Sequence, residues 1–269
     1  EKELFGTEDF KRMVTDQHSV FARLLTPYIL KLNSRTDELS PLEKRALNDL
    51  SEWKYEMNTS MNAPSVFELF RVCLRKNLLA DELGDLFGNL YYMTGEYYIY
   101  KIITDGEDEW VDNILTPEKE TLDDIVMQSF KEGVSLLVKK YGRNPDGWKW
   151  GGIHTIAFIH PMGTVKILNA LYKLNSAEFP VGGSDNTVCP FFSLKPGFRA
   201  SMGASVRNIY NTADWDDSYS VFPGGASGIP GTEFYLSQVK TYIDGKFYRD
   251  YFSSDAVKKS AKYKLVFKP

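Results

Sequence analysis

The chain has 269 residues, 43% hydrophobic and 25% charged, an ordinary composition for a globular protein. Its formal net charge of −4, with both signs interspersed, offers no long-range attraction to phosphate backbones or anionic lipid, so nucleic acid and membrane surfaces are poor candidates as partners. No apolar run approaches the roughly 20 residues that span a bilayer.

Apolar residues recur at helical spacing through the first half of the chain. This spacing predicts a short amphipathic helix over residues 7–15 and a second helix over residues 20–32. Ser40-Pro-Leu-Glu43 has the composition of a helix start, with Ser as N-cap, Pro at the first helical position and a Glu that reaches back to the cap N–H. We expect this helix to continue to about Lys54.

Further helices are predicted along the same half. Ser65-Val-Phe-Glu68 resembles a second capping box and predicts an apolar helix that begins there and runs toward Leu79. Other helices are predicted over residues 82–92, over residues 97–103, and from Thr116-Pro117 to Tyr141, where Gly142 provides a C-cap.

The composition changes near residues 144–147, where turn residues cluster before β-branched and aromatic residues. Strands are predicted over residues 153–158, 187–194, 205–211, 218–222 and 262–267, and helices over residues 233–244 and 254–261. We therefore divide the chain into a mostly helical segment, residues 1–145, and a segment of mixed strands and helices, residues 146–269. The two are expected to form one structural unit.

Cys73 and Cys189 are far apart in sequence, in a predicted helix and a predicted strand. We expect two buried thiols rather than a disulfide, and two cysteines do not decide the redox compartment.

Several motifs follow one another in a fixed order. They are Leu50-Ser-Glu-Trp53, Trp150-Gly-Gly-Ile-His154, Phe158-Ile-His-Pro161, Phe179-Pro-Val-Gly-Gly-Ser-Asp-Asn-Thr-Val188, Gly203-Ala-Ser-Val-Arg207 and Gly225-Ala-Ser-Gly-Ile-Pro-Gly231. In order and spacing they resemble the C-terminal part of the β-subunit of the penicillin acylase (penicillin amidase) family, the bacterial N-terminal-nucleophile (Ntn) hydrolases. The chain departs from the family pattern at Ala226 and Cys189, where the family has Gln and Asn. Asp185, the acidic residue after the glycine pair, lies one position later than in the family.

The resemblance implies an α+β fold in which the helical first half is followed by strands that complete the αββα sandwich of an Ntn hydrolase. It implies hydrolysis of an acyl–amide C–N bond without a cofactor. The implied partners are the upstream part of the same precursor, meaning the remaining β-subunit and the α-subunit, and a small acyl-amide substrate. Family substrates include penicillins, cephalosporins and acyl-homoserine lactones, and nothing in this chain selects among them. The family also implies a periplasmic or secreted protein.

In this family an N-terminal Ser attacks the amide carbonyl, its own α-amino group acts as the base, and an Asn amide helps to hold the oxyanion. An α-amine suits this role because its pKa of about 7.7–8.0 leaves a neutral fraction near pH 7. The nucleophile and the Asn both precede the region that this chain resembles, and Glu1 has neither hydroxyl nor thiol. We therefore expect that no residue of this chain takes part directly in the chemistry. We also expect no amidase turnover by the chain alone.

Asp185 is the one candidate for a catalytic role, as a carboxylate that orients the catalytic residues without touching substrate. The alternative is a turn residue that bonds its own backbone. No substrate-binding residue is assigned.

Arg207, His154 and His160 are interpreted as structural residues. A buried guanidinium needs a partner, so Arg207 is expected to pair with a carboxylate such as that of Asp185 or Asp214. The two histidines have no Cys, Asp or Glu at ligand spacing around them, which argues against a metal site.

Two other kinds of function stay open. One is a non-catalytic, independently folding domain that uses the same scaffold for binding or as a structural partner; such a domain is monomeric and stable alone, whereas a piece of a sandwich exposes an apolar face. The other is a metal-dependent enzyme built on the two histidines.

Overall fold

The computed structural model describes residues 4–90, 95–106, 108–193 and 197–268. Its α-helices are α1 (Thr7–Val14), α2 (Val20–Leu30), α3 (Pro41–Ser51), α4 (Ala63–Leu83), α5 (Phe87–Leu90), α6 (Glu96–Asp105), α7 (Asp108–Val111), α8 (Leu122–Tyr141), α9 (Trp150–Ile153), α10 (Lys166–Tyr172), α11 (Val239–Ile243) and α12 (Ser254–Ser260). Its strands are β1 (Thr155–Ile156), β2 (Phe179–Pro180), β3 (Phe191–Phe192), β4 (Met202–Gly203), β5 (Arg207–Ile209), β6 (Ser218–Val221) and β7 (Tyr248–Asp250). Short 3₁₀ turns cover Lys31–Glu38, Gly84–Leu86, Pro145–Trp148, Pro161–Thr164 and Trp215–Asp217.

The predicted start of α3 is confirmed in atomic detail. Ser40 Oγ accepts a hydrogen bond from the N–H of Glu43, and the Glu43 carboxylate accepts one from the N–H of Ser40 at 2.6 Å. The predictions of α1, α2, α6 and α12 are confirmed to within a few residues at each end.

The predicted start of α4 at Ser65 is wrong. The helix begins at Ala63, with Pro64 in its first turn, so Ser65 and Glu68 lie inside it and are both buried. The carboxylate of Glu68 binds Arg71 one turn further along the helix instead of a cap N–H.

Two other predicted helix limits also need correction. α8 begins five residues later than predicted, after Thr121, whose hydroxyl caps the helix by accepting from the N–H of Asp124. The loop before it has its own hydrogen bonds, in which the Glu120 carboxylate accepts from Asn113 and Thr116. The helix predicted over residues 82–92 is instead the end of α4, a 3₁₀ turn and α5, and positions 91 and 92 lie outside the described residues.

α4 and α8 pack against each other and form the centre of the larger hydrophobic core. They approach closely at Gly133, where an added Cβ would lie 2.9 Å from the Phe70 main-chain nitrogen. Phe67 and Phe70 of α4 and Phe130 of α8 are almost fully buried there. Each such side chain contributes about 2–3 kcal/mol of transfer free energy.

The second half of the chain holds the strands, and all of them pair antiparallel. β1 pairs with β2, β3 pairs with β4, and the third sheet has the order β5-β6-β7. A smaller core lies beneath these sheets and includes Ile156, Val181, Phe191, Val221 and Tyr242.

The strand predictions over residues 205–211 and 218–222 are confirmed by β5 and β6. The prediction over 153–158 is reduced to β1, because the preceding residues form α9, and that over 187–194 is reduced to β3, with position 194 outside the described residues. The helix predicted over 233–244 is reduced to α11, because turns occupy the positions before it. No strand is assigned at residues 262–267, where that prediction fails.

The architecture is thus a mixture of helices and small antiparallel sheets, which confirms the predicted α+β class at this level. The larger core extends past position 145 to include Trp148, Trp150 and Ile153, and the smaller core begins at Ile156. The division at residue 145 stays a prediction. Cys73 and Cys189 are both free and buried, as predicted. Within the described ranges, no helix has the length and hydrophobicity needed to cross a bilayer.

Candidate functional site

A cleft of about 960 Å³ opens between α4, α8 and the loops around β3. Its volume falls in the range of small-molecule sites, which have mostly apolar walls and a few converging polar groups. The apolar wall is formed by Leu69, Val72, Leu136, Phe191, Phe192 and Phe198. The charged groups are Glu68, Arg71, Arg75, Asp185, Lys139 and Lys140.

Arg71 is the centre of a charged cluster at this cleft. Its Nη2 donates to Glu68 Oε2 at 2.6 Å and to Asp185 Oδ1 at 3.2 Å. Its Nη1 contacts Glu96 of α6, which also accepts from Arg75 Nη2 at 2.5 Å. The cluster therefore ties α4 to α6 and to the turn that carries Asp185.

Burial dominates the electrostatics of the cluster. Glu68 is 2% exposed, and its loss of hydration raises its pKa to about 7 despite the attraction of Arg71. The neighbouring carboxylates of Asp185 and Glu96 add to this rise. For Arg71, burial alone would lower the pKa, but the attraction of the three carboxylates outweighs it and the pKa is raised. Arg71 therefore stays charged, while Glu68 titrates near neutral pH.

The turn before Asp185 is fixed by its glycine pair. Gly183 has φ of +73°, and a Cβ there would lie 2.3 Å from the Cys189 carbonyl oxygen, so the position requires Gly. The N–H of Gly183 donates to the Met57 carbonyl at 2.9 Å, and Trp150 Nε1 donates to the Gly183 carbonyl at 3.0 Å. The turn is thereby held against the helical half.

The carboxylate of Asp185 projects from this turn into the cleft. It accepts from Arg71 and from Asn186 Nδ2 at 2.8 Å, and its side chain is 43% exposed. The hydrogen bonds that close the turn involve Ser184 and Thr187 instead. Arg71 thus holds the Asp185 carboxylate in place, and one side of this carboxylate is open to the cleft.

His154 lines the cleft as a neutral side chain. Its ring stacks on Trp150 with centroids 4.4 Å apart, and Nδ1 lies 2.6 Å from the Phe198 carbonyl oxygen. Burial lowers the pKa of His154 to about 4, so Nδ1 carries the proton of a neutral ring and donates to that carbonyl.

His160 lies apart from the cleft lining. Its Nδ1 accepts from the N–H of Met162 at 3.1 Å, and its main-chain N–H donates to Asn175 Oδ1 at 3.0 Å. The two histidines are therefore not brought together. In the part of the chain that the structure describes, no three His, Cys, Asp or Glu side chains are placed to hold a metal ion.

The predicted pairing of Arg207 with a carboxylate is wrong. Its guanidinium is buried in the smaller core, where Nη1 donates to the Tyr242 carbonyl at 2.8 Å and Nη2 lies 3.3 Å from Cys189 Sγ. The guanidinium also lies over the Tyr242 ring, 4.1 Å from its centroid. Asp185 binds Arg71 instead, and Asp214 caps the short turn that follows it. A carbonyl and an aromatic face thus take the role expected of a carboxylate.

Four members of the cluster were not predicted from the sequence: Glu68, Arg71, Arg75 and Glu96. A signal was present, because positions 68, 71 and 75 share one face of a helix that is otherwise largely apolar. Three charges on a buried face indicate partners from other elements. The capping-box interpretation of Glu68 concealed this pattern.

Comparisons with known proteins give one consistent family. A family model for penicillin amidase matches residues 1–259. The penicillin acylase 2 proenzyme of Pseudomonas sp. (strain SE83) is 25% identical over 241 residues, which are 86% of this chain and 30% of that protein. The acyl-homoserine lactone acylase QuiP of Pseudomonas syringae pv. tomato is 22% identical over 264 residues, which are 90% of this chain and 32% of that protein.

A similar fold is found among solved structures. A thermostable penicillin G acylase from Alcaligenes faecalis aligns with a TM-score of 0.55 at 14% identity, covering 100% of this chain and 50% of that one. The chain thus spans about a third of the length of the curated relatives it matches.

Proposed function

Because the chain belongs to the penicillin amidase family, we propose that it is the C-terminal part of the β-subunit of an acylase that hydrolyses acyl–amide bonds. The observation that carries this proposal is the family match over residues 1–259, combined with coverage of only 30% and 32% of the two relatives described above. The partners would be the remaining β-subunit and the α-subunit of the same precursor.

We place the nucleophile outside this chain. In the cleft, Ser184 Oγ accepts the N–H of Asn186 at 3.2 Å, and among the described residues His154 Nε2 has no hydrogen-bond partner. A Ser–His pair would instead join the hydroxyl to the unprotonated imidazole nitrogen that receives its proton. A nucleophile supplied by the upstream part, with its own α-amine as base, fits the family chemistry and leaves the isolated chain inactive.

Within this proposal, the chain contributes structure around the reaction centre. Its small sheets would form part of an αββα sandwich, with the helical half packed outside. The Arg71 cluster would hold Asp185 in a fixed position at the cleft, and Asp185 would act as a positioning residue for groups of the upstream part. The relatives' names indicate two substrate classes, penicillins and acyl-homoserine lactones, and both contain an acyl–amide bond.

Trapping of the acyl-enzyme in the complete protein tests this proposal. The complete protein would be mixed with an excess of a chromogenic acyl-anilide, quenched in acid during turnover and mapped by peptide mass spectrometry. We expect the acyl group on a residue upstream of this chain. An acyl group on a Ser, Thr or Cys within residues 1–269 would show that the nucleophile lies in this chain and would overturn the proposal.

A further inference from the structure

Residues 262–268 have the alternating pattern of a β-strand with one apolar face. Tyr263, Leu265 and Phe267 occupy alternate positions, and the other positions of the segment are Lys262, Lys264, Val266 and Lys268. On a pleated strand the three large apolar side chains lie on one face, and the three lysines lie with Val266 on the other. This pattern is typical of a strand that covers a core on one side and faces water on the other.

Among the described residues no strand pairs with this segment, and its apolar side chains are open to solvent. The exposed fractions are 85% for Tyr263, 82% for Leu265 and 91% for Phe267. Three large apolar side chains exposed in one short segment indicate an interaction site. The segment follows α12 almost directly, and α12 itself has no buried residue.

We propose that residues 262–268 add as a β-strand to a sheet edge in the part of the precursor that this chain lacks. This inference rests on the proposed function. The relatives have more than twice as much chain outside the matched region as within it, and half of the solved penicillin G acylase chain also lies outside the alignment. A strand that joins an open sheet edge gains main-chain hydrogen bonds along its length, and its alternate side chains fill the core of the sheet that receives it.

The edges within this chain fit the segment less well. β5 and β7 are the outer strands of the three-stranded sheet, and each has only three residues. The segment has seven residues, and a three-residue edge would pair with fewer than half of them.

Hydrogen exchange measured by mass spectrometry tests the proposal. In the complete protein we expect the amides of residues 262–268 to exchange about 100-fold more slowly than in the isolated chain. Equal, fast exchange in both would overturn the proposal. Strong protection already present in the isolated chain would also overturn it, because pairing would then be with β5, β7 or a second copy.

A pair of substitutions in the complete protein tests which face is buried. Leu265→Lys places a charge on the apolar face, and Val266→Lys places the same charge on the opposite face. We expect Leu265→Lys to remove the protection of this segment and Val266→Lys to retain it. Equal effects of the two substitutions would contradict the proposed orientation of the strand.

The outcome is separable from that of the proposed function. A complete protein that hydrolyses acyl-anilides with residues 262–268 unprotected would disprove the strand and leave the function intact. A complete protein that protects residues 262–268 from exchange but does not hydrolyse acyl-anilides would disprove the function and leave the strand intact.

Discussion

The carboxyl group of Glu68 shows how burial competes with ion pairing. It receives two hydrogen bonds from Arg71, at 2.6 and 3.0 Å, yet its pKa is raised to about 7 because the side chain is withdrawn from water. Asp185 and Glu96 contact the same arginine, and the repulsion between their carboxylates and that of Glu68 raises the Glu68 pKa further. The protonated acid is therefore the favoured form of Glu68 in the folded chain below neutral pH.

This pKa predicts how stability depends on pH. Since the pKa of Glu68 in the folded protein lies above its ordinary value of 4.5, its contribution to stability is full below pH 4.5 and is lost as the pH rises through about 7. The rise of the Glu68 pKa from 4.5 to about 7 corresponds to a loss of roughly 3 kcal/mol in the free energy of unfolding. We expect Glu68→Gln, which mimics the protonated acid, to remove this loss, so that its free energy of unfolding relative to the parent rises between pH 4.5 and 8.

Urea unfolding at several pH values checks this expectation. Glu178→Gln is a suitable control, because hydrogen bonds from Thr155 and Arg199 lower the pKa of Glu178 and its pH dependence has the opposite sign. Identical pH dependence in the parent and in Glu68→Gln would show that Glu68 ionises at its ordinary pKa.

Arg207 is the second residue whose role can be measured. Truncation to Ala would leave the Tyr242 carbonyl without its charged donor and remove the guanidinium from the Tyr242 ring. We expect Arg207→Ala to lower the free energy of unfolding by about 3 kcal/mol. Arg199→Ala, at an exposed ion pair with Glu178, is the control, with an expected cost of less than about 1 kcal/mol. Similar unfolding midpoints for the two variants would contradict a structural role for Arg207.

Sequence reasoning interpreted Arg207 as a structural residue, which stays a prediction, and chose the wrong partner for it. The rule that a buried arginine needs a partner was sound, and a main-chain carbonyl and an aromatic face satisfied it. Neither type of partner has a sequence signal at a distance of 35 positions. Asp185 was chosen as a candidate because it follows a glycine pair in a recognisable motif, whereas its partner Arg71 comes from another element 114 positions away.

Among the secondary-structure elements, the contact of α4 with α8 supports the helical half. Gly133 allows this contact, since an added Cβ would lie 2.9 Å from the Phe70 nitrogen and 3.1 Å from the Leu69 carbonyl carbon. Main-chain atoms of a packed helix cannot move aside as a flexible side chain can. The two helices would have to separate locally.

We therefore expect Gly133→Ala to destabilise the chain by about 1–3 kcal/mol, despite the higher helix propensity of Ala. Gly152→Ala in α9 is a matched control, because a Cβ there meets nothing within 4 Å, and its expected effect is close to zero. Thermal unfolding of the two variants compares them directly. A Gly133→Ala variant as stable as Gly152→Ala would show that α8 moves away without cost.

Helices were predicted better than strands, for a physical reason. Helices such as α3 and α8 carry their own signals, namely caps, a C-terminal Gly and periodic apolar residues, and these act over a few positions. The strands here have only two to four residues and owe their existence to distant partners, such as β1 pairing with β2. The strand pattern at residues 262–267 is clear in the sequence, but no strand of the described chain pairs with it.

For the whole molecule, the family relationship and the incomplete coverage of the relatives lead to one account. The larger core, built on α4 and α8, joins a smaller core beneath short sheets, and a cleft with a charged cluster lies where they meet. In this account the chain supplies the walls of a hydrolase site, including a positioned Asp185, and the upstream part of the precursor supplies the nucleophile.

The most direct test is a comparison of amide turnover by two purified proteins. The 269-residue chain and the complete protein would be assayed under identical conditions with the same chromogenic acyl-anilide. The account predicts steady release of the anilide product by the complete protein and no release above the uncatalysed rate by the chain alone. Turnover by the isolated chain, or its absence in the complete protein, would contradict it.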